Sequence, residues 1–167
     1  MDVEDLVTIY GSFLIRKLCV EEFGILKDFL YEAIFIPQGV EAPARDIVEG
    51  PELRIYYEDF GSRPGDLCLA AETAGRVVGA VWTRIMDDYG HVDDETPSFA
   101  ISLLPEYRNQ GIGNRLMKEM LSLLKEHGFR QASLAVQKAN YAVRMYKEVG
   151  FEIIDENEEE FIMVCRL

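Results

Sequence analysis

The sequence predicts an α/β chain of the α+β kind: a mixed, mostly antiparallel seven-stranded sheet with helices on both faces. Two pairs of strand-like runs are joined by short turns, at Ala74-Gly75 and at the acidic ENEEE, and read as hairpins. A third observation breaks that pattern. The run SFAISLL, a long amphipathic helix and the run QASLAVQ form one strand-helix-strand crossover, so the order β-α-α-β-β-β-α-β-α-β-β mixes both connection types.

The elements follow in order. Residues 12–20, SFLIRKLCV, alternate as a strand does, and residues 21–35 place apolar side chains at 23, 26, 29, 30, 33 and 34, a helical spacing. IPQGVEAPA carries Pro37, Gly39 and Pro43 and is a loop; PELRIYYEDF opens on a proline suited to a first helical turn and gives a short helix ending near Gly61. DLCLAAET and RVVGAVWTRI make the first hairpin, and MDDYGHVDDETP is a polar loop before SFAISLL. In the helix from Gly111 to His127, Ile112, Leu116, Met120 and Leu123 lie on one stripe, with Gly128 placed to cap its end. After QASLAVQ come a helix in NYAVRMYKEV and the hairpin FEIID/FIMVCRL.

Length and composition bound the rest. A chain of 167 residues, 49% hydrophobic, suits one domain over 1–167, with 1–11 as an N-terminal extension and 12–167 as the core. The start has no basic stretch leading into an apolar run and no segment approaches the ~18 apolar residues of a membrane span, so a soluble, cytoplasmic protein is expected. Cys19, Cys68 and Cys165 are far apart in apolar runs and read as buried thiols, neither a disulfide framework nor a metal site. A net charge of −13 argues against nucleic acid and anionic membrane as partners. The distribution is uneven: Leu104 to Gly150 carries eight basic and four acidic residues, +4, which leaves −17 elsewhere. Either the middle of the chain meets an anion or its helices have mixed, solvated faces.

The stretch PEYRNQGIGNRLM favours the first alternative. A strand ending at Leu104 feeds a turn, and the turn feeds a helix whose free N–H groups and positive dipole end suit an anion. Gly111 and Gly113 let backbone approach a phosphate, and Arg108 adds a charged donor, so diphosphate is the natural ligand. Two common nucleotide motifs fail here. A P-loop needs Lys and then Ser or Thr where Asn114 and Arg115 stand, and a dinucleotide fingerprint needs Gly or Ala where Leu116 stands.

RNQGIG resembles the acetyl-coenzyme A signature of the GNAT superfamily of N-acetyltransferases: Arg or Gln, two residues, Gly, any residue, then Gly or Ala, between the fourth strand and third helix. NYAVRMYKEVGFE, residues 140–152, is similar to the family's second signature, with its Asn, Ala, Tyr and Gly-Phe. The resemblance covers nearly the whole chain. It implies a GNAT-like sheet whose fourth and fifth strands splay, with pantetheine lying against Ile101, Ser102 and Leu103. It implies diphosphate on the amides of Arg108, Asn109, Gln110, Gly111, Ile112 and Gly113, with Asn114 next, and Asn140 meeting the pantetheine arm. Tyr146 aligns with the family's general acid, a phenol that protonates the departing thiolate. An acetyl-CoA cosubstrate and no metal are implied.

A primary amine with a pKa near ~10 must lose a proton before attack. Glu95 is the candidate general base, with Asp93 and Asp94 as competitors and a water-mediated base, or none, left open. His91 is a shuttle by residue type alone and reads as exposed in its loop. Phe35, Tyr56, Tyr57, Trp82 and Tyr89 are candidates for an acceptor wall. Acids at Glu41, Asp46, Asp87, Asp88, Asp93, Asp94 and Glu95 point to a cationic small-molecule amine as acceptor. The expectation is direct acetyl transfer to such an amine; acetylation of a protein N-terminus or lysine, a CoA-binding regulatory module without turnover, and a generic nucleotide binder are the alternatives. Exposed sheet edges leave room for a homodimer.

Overall fold

The computed structural model describes residues 7–167. Its strands are β1 (Val7–Tyr10), β2 (Phe13–Lys17), β3 (Leu67–Thr73), β4 (Arg76–Arg84), β5 (Ser98–Leu103), β6 (Gln131–Gln137), β7 (Glu152–Glu156) and β8 (Glu160–Arg166). Its helices are α1 (Leu26–Ala33), α2 (Pro51–Arg54), α3 (Ile112–Glu126) and α4 (Ala142–Val149). The strands form one sheet in the order β1-β2-β3-β4-β5-β6-β8-β7, antiparallel everywhere except between β5 and β6.

Eight strands stand where seven were expected. The additional one is β1, inside the stretch expected to be an extension; residues 1–6 of that stretch lie outside the described residues. Gly11 at φ 47° turns β1 back onto β2, and Tyr10 stacks on Phe13 with ring centroids 5.3 Å apart. Two helices are shorter than expected. Residues Val20–Ile25 form a 3-10 turn, and only Leu26–Ala33 is α-helical. In this turn Arg16 grips the Glu22 carboxylate at 2.8 and 2.9 Å, and Glu22 in turn accepts the Cys19 N–H. Cys19 heads that turn and is exposed, unlike the buried Cys68 and Cys165. The helix opening at Pro51 ends after four residues, and Asp59 and Gly61, both at positive φ, break the chain beyond it into turns.

Helices cover both faces. On one, Leu26, Phe29, Leu30 and Val48 pack on Ala80, Trp82 and Ala100; on the other, Leu116, Met117, Met120 and Leu124 pack on Val81, Phe99, Leu134 and Met163. Among the described residues no helix is long and apolar enough to cross a membrane.

One detail of the sheet positions the site. β5 keeps six antiparallel pairs with β4, and β6 keeps seven with β8, yet β5 and β6 share a single register pair, Ser98 with Ser133. Each strand follows its own antiparallel partner, and the sheet twist carries the two apart beyond that point. A V-shaped gap opens toward Leu103, with the backbone edge of β5 left without a ladder partner there among the described residues.

Candidate active site

The turn after β5 is built by its sequence. Pro105–Tyr107 form one 3-10 turn, Asn109 takes φ 61°, and Gly111 caps α3 at φ 84°, a backbone region that L side chains rarely adopt. α3 has no acid in its first turn and no side-chain cap, so its amides are free to meet an anion. Gly113 is different: a Cβ there would meet Met145 Sδ at 3.5 Å and Leu103 Cδ1 at 3.7 Å, ordinary contacts that would admit alanine.

A cavity of about 460 Å³ lies in the V, running from this turn between β5 and α4 to the end of α1. Ile101, Ser102, Leu103, Arg108, Asn109, Gly111, Gly113, Asn114, Asn140 and Tyr146 all line it. Its size falls in the range of ligand pockets, about 300–1,000 Å³. The unpaired β5 edge, the free α3 amides and the elongated gap fit a ligand with a peptide-like arm and a diphosphate.

The side chains of three expected residues stand away from this wall. Gln110 is exposed and donates its side-chain amide to the Glu106 carbonyl at 2.9 Å. Ile112 is buried in the core beneath α3. Glu95 is exposed in the loop before β5, where its N–H donates to Asp93 Oδ1 at 2.8 Å. The same Asp93 oxygen accepts the Thr96 hydroxyl at 2.7 Å, and that bond holds the Asp93 carboxyl below the usual range.

The residues that do line the cavity have their own partners. Ser102 donates its hydroxyl to the Phe29 carbonyl at 2.5 Å, tying β5 to α1. Asn140 Oδ1 accepts the Ala142 N–H at 2.9 Å and starts α4, which leaves the amide NH₂ of Asn140 as its free group. Arg108 donates Nε to the Leu103 carbonyl at 3.1 Å, and Nη2 to the Glu32 carbonyl at 3.1 Å and to Glu32 Oε2 at 3.2 Å. Tyr146 packs on Phe151, with centroids 6.1 Å apart; burial pushes its phenol up to about 12, and its hydroxyl, open to the cavity, makes no hydrogen bond among the described residues.

The end of α1, Glu32 to Ile36, is a part of the wall that the sequence motifs did not mark beyond Phe35. Its contact with Arg108 joins residues 76 apart, which no local periodicity reveals. The polar loop also hides an inward turn. Asp88 accepts the Tyr56 hydroxyl at 3.0 Å and the Ser98 hydroxyl at 2.9 Å beside the point where β5 meets β6, and burial raises its carboxyl. Burial raises the Tyr56 phenol as well, with Asp88, Glu160 and Tyr89 adding to the effect. Trp82 and Tyr57, candidates for an acceptor wall, serve the fold: Trp82 is fully buried and donates Nε1 to the Tyr56 carbonyl, and the Tyr57 hydroxyl reaches the Val48 carbonyl. Among the described residues no three His, Cys, Asp or Glu could hold a metal ion.

The profile of the acetyltransferase (GNAT) family matches residues 33–151 of the chain. The chain belongs to this family. An uncharacterized N-acetyltransferase of Archaeoglobus fulgidus is 27% identical over 152 residues, 87% of this chain and 82% of that protein. A mycothiol acetyltransferase of Propionibacterium freudenreichii subsp. shermanii is 29% identical over 92 residues, which span 54% of this chain and only 29% of that relative's length. Among solved GNAT structures, the paiA N-acetyltransferase of Thermoplasma acidophilum in complex with coenzyme A superposes with a TM-score of 0.69 at 22% identity, covering 93% of this chain and 99% of that one. That likeness concerns the fold, including the sheet that carries the V.

Proposed function

We propose that the protein transfers acetyl from acetyl-CoA directly to the primary amine of a small cationic acceptor. The observation that carries this reading is the joining of three features in one cavity: the free amides of α3, the unpaired edge of β5 and the unpartnered hydroxyl of Tyr146. Acetyl-CoA supplies an activated acyl thioester; in the transfer the C–S bond breaks, an N–C bond forms, the amine loses a proton and the thiolate gains one. Tyr146 keeps its phenolic proton at working pH and offers it to the leaving sulfur from a fixed position on α4. Backbone N–H near Leu103 stabilises charge developing on the acyl oxygen. Asn140 directs its remaining amide donors to the pantetheine arm.

The acceptor's charge is matched beyond the residues that line the cavity, around Ser98 at the closed end of the V, where tyrosines and acids gather. Tyr56 and Tyr89 offer aromatic surface, and Asp88, Glu160 and Glu52, the last accepting the Tyr89 hydroxyl at 3.1 Å, supply negative charge that favours an ammonium-bearing amine. Glu95 stands off the cavity and has no role in this reading; the ammonium proton leaves through solvent. No cysteine is drawn into a covalent route, because Cys68 is pushed up by burial and neither Cys68 nor Cys165 lines the cavity.

Thiol release from acetyl-CoA against polyamines, amino sugars, amino acids and short peptides tests the reading, with calorimetric binding of acetyl-CoA alongside. Turnover is expected with cationic small amines. Turnover confined to peptides would move the acceptor to a protein N-terminus, and tight binding with no turnover on any amine would overturn the enzymatic reading.

A further inference from the structure

The coenzyme site contains an anion of the protein's own. On the acetyl-CoA reading above, we infer that Glu32 is a positioning residue that competes with the coenzyme's diphosphate for the Arg108 guanidinium and so sets how fast the coenzyme leaves. Glu32 and Arg108 come from α1 and from the glycine turn, and both line the cavity. Arg108 is held by three contacts. Two are to backbone carbonyls, of Leu103 and of Glu32 itself, and keep the guanidinium in place whatever side chain stands at 32; the third is to the Glu32 carboxylate. Its Nη1 has no partner among the described residues, so one edge of the fork is open.

The carboxylate is flanked by a second guanidinium. Arg45 Nη2 lies 3.8 Å from Glu32 Oε1, and Arg45 is itself stacked over the Tyr31 ring at 4.5 Å. Tyr31 is held in turn by its hydroxyl bond to the Pro43 carbonyl at 2.6 Å. A diphosphate on the α3 amides is, like a carboxylate, an anionic acceptor, and two non-bridging oxygens on one phosphorus can meet the guanidinium fork. Exchange of one anion for the other therefore leaves no charge stranded: Arg108, still held by the two carbonyls, gives the diphosphate its open Nη1 and the Nη2 hydrogen that the Glu32 carboxylate releases, and Glu32 keeps Arg45. On departure the carboxylate retakes Arg108, which lowers the barrier to release.

Glu32→Gln tests this, since it keeps the side-chain shape and the backbone contact to Arg108 and removes only the charge. The probes are acetyl-CoA and S-acetylpantetheine, which lacks the diphosphate; affinity is read by calorimetry and coenzyme dissociation by stopped-flow. Glu32→Gln is expected to tighten acetyl-CoA about threefold and slow its dissociation by a like factor, the scale of a partly exposed ion pair. S-acetylpantetheine should be unmoved, the difference should narrow with salt, and Arg108→Gln should abolish it. Equal change for both probes, weaker acetyl-CoA binding, or the same effect in the Arg108→Gln background would overturn the inference. Failure of the unsubstituted protein to bind acetyl-CoA would instead overturn the coenzyme reading itself, and is read from a different sample.

Discussion

Replacing Tyr146 by Phe deletes one oxygen from the α4 wall of the cavity and leaves the ring packed on Phe151. Because that hydroxyl has no hydrogen-bond partner among the described residues, its loss should change stability by less than about 1 kcal/mol. The rate should respond very differently. A positioned general acid contributes about 10²–10⁴-fold, or about 2.7–5.5 kcal/mol of transition-state stabilisation at 1.36 kcal/mol per decade. The assay is kcat on the best amine, beside thermal unfolding and acetyl-CoA affinity on the same preparations. Burial pushes the phenol up to about 12, so the acid stays loaded through neutral and moderately alkaline pH and adds no falling limb there. The same shift has a stability consequence. An unfolded tyrosine ionises near ~10 while the folded one holds its proton to about 12, so the contribution is whole below the lower value and is lost between the two. At about 1.36 kcal/mol per unit, the unsubstituted protein should lose about 2.7 kcal/mol more than Tyr146→Phe across that window. A kcat within threefold of the unsubstituted enzyme would refute the acid assignment, and a large fall in Tm at neutral pH would make the hydroxyl structural.

Gly79→Ala should damage the site from behind. Its Cβ would fall 2.2 Å from Leu103 Cδ2 and 3.2 Å from the Ser102 carbonyl, so Leu103 must shift within the cavity wall. Overpacking of this kind costs about 1–3 kcal/mol, and acetyl-CoA affinity should fall with it; Leu103→Ala in the same chain should relieve both, and absence of that rescue in calorimetry and unfolding would discard the contact as cause. Asp66→Asn should be among the most destabilising single changes, because Arg84 and Asp66 form a bidentate pair at 2.9 Å with both side chains 0% exposed. Leaving the guanidinium uncompensated costs about 3–5 kcal/mol, a Tm loss of at least about 6 °C, and a loss under about 2 °C would refute it.

The parts of this protein legible in its letters are those in which chemistry is local. Residues 131–137 form a strand with the predicted bounds, the long helix follows its apolar stripe, and the turn from Arg108 to Gly113 could be read because its conformation depends on adjacent residues. The sheet's eighth strand was harder, since VTIY is four residues whose pairing depends on a turn at Gly11 and on β2. Contact across the fold is the part that stayed hidden. Asp88 looks like one more loop acid beside Asp87, yet it turns inward to Tyr56 and Ser98, while Asp94 remains 97% exposed. Arg108 reads as a free cation poised for phosphate, and only packing of α1 against the turn shows that a carboxylate already faces it. Glu95 precedes β5 in sequence, but the V opens at the other end of that strand, from Ile101 to Leu103.

Burial decides which of the protein's arginines can answer a ligand. Arg84 is sealed: besides the bidentate carboxylate, it donates to the carbonyls of Ile55 and Glu58, and Asp66 accepts the N–H groups of Gly61 and Arg63. Breaking that pair strands a charge in the interior, so it fixes the segment after α2 against β4 and cannot take part in exchange. Arg108 and Glu32 have the opposite character, with side chains 35% and 18% exposed and both facing the cavity. Their mutual attraction is screened, and a partly exposed pair of this kind contributes about 0.2–1 kcal/mol, within reach of what a second anion supplies. The segment after α2 thus rests on an ion pair too costly to open, and the glycine turn carries one that, on the proposed reading, is weak enough to trade. On that reading, coenzyme would come and go at the glycine turn while the segment after α2 stays fixed against β4.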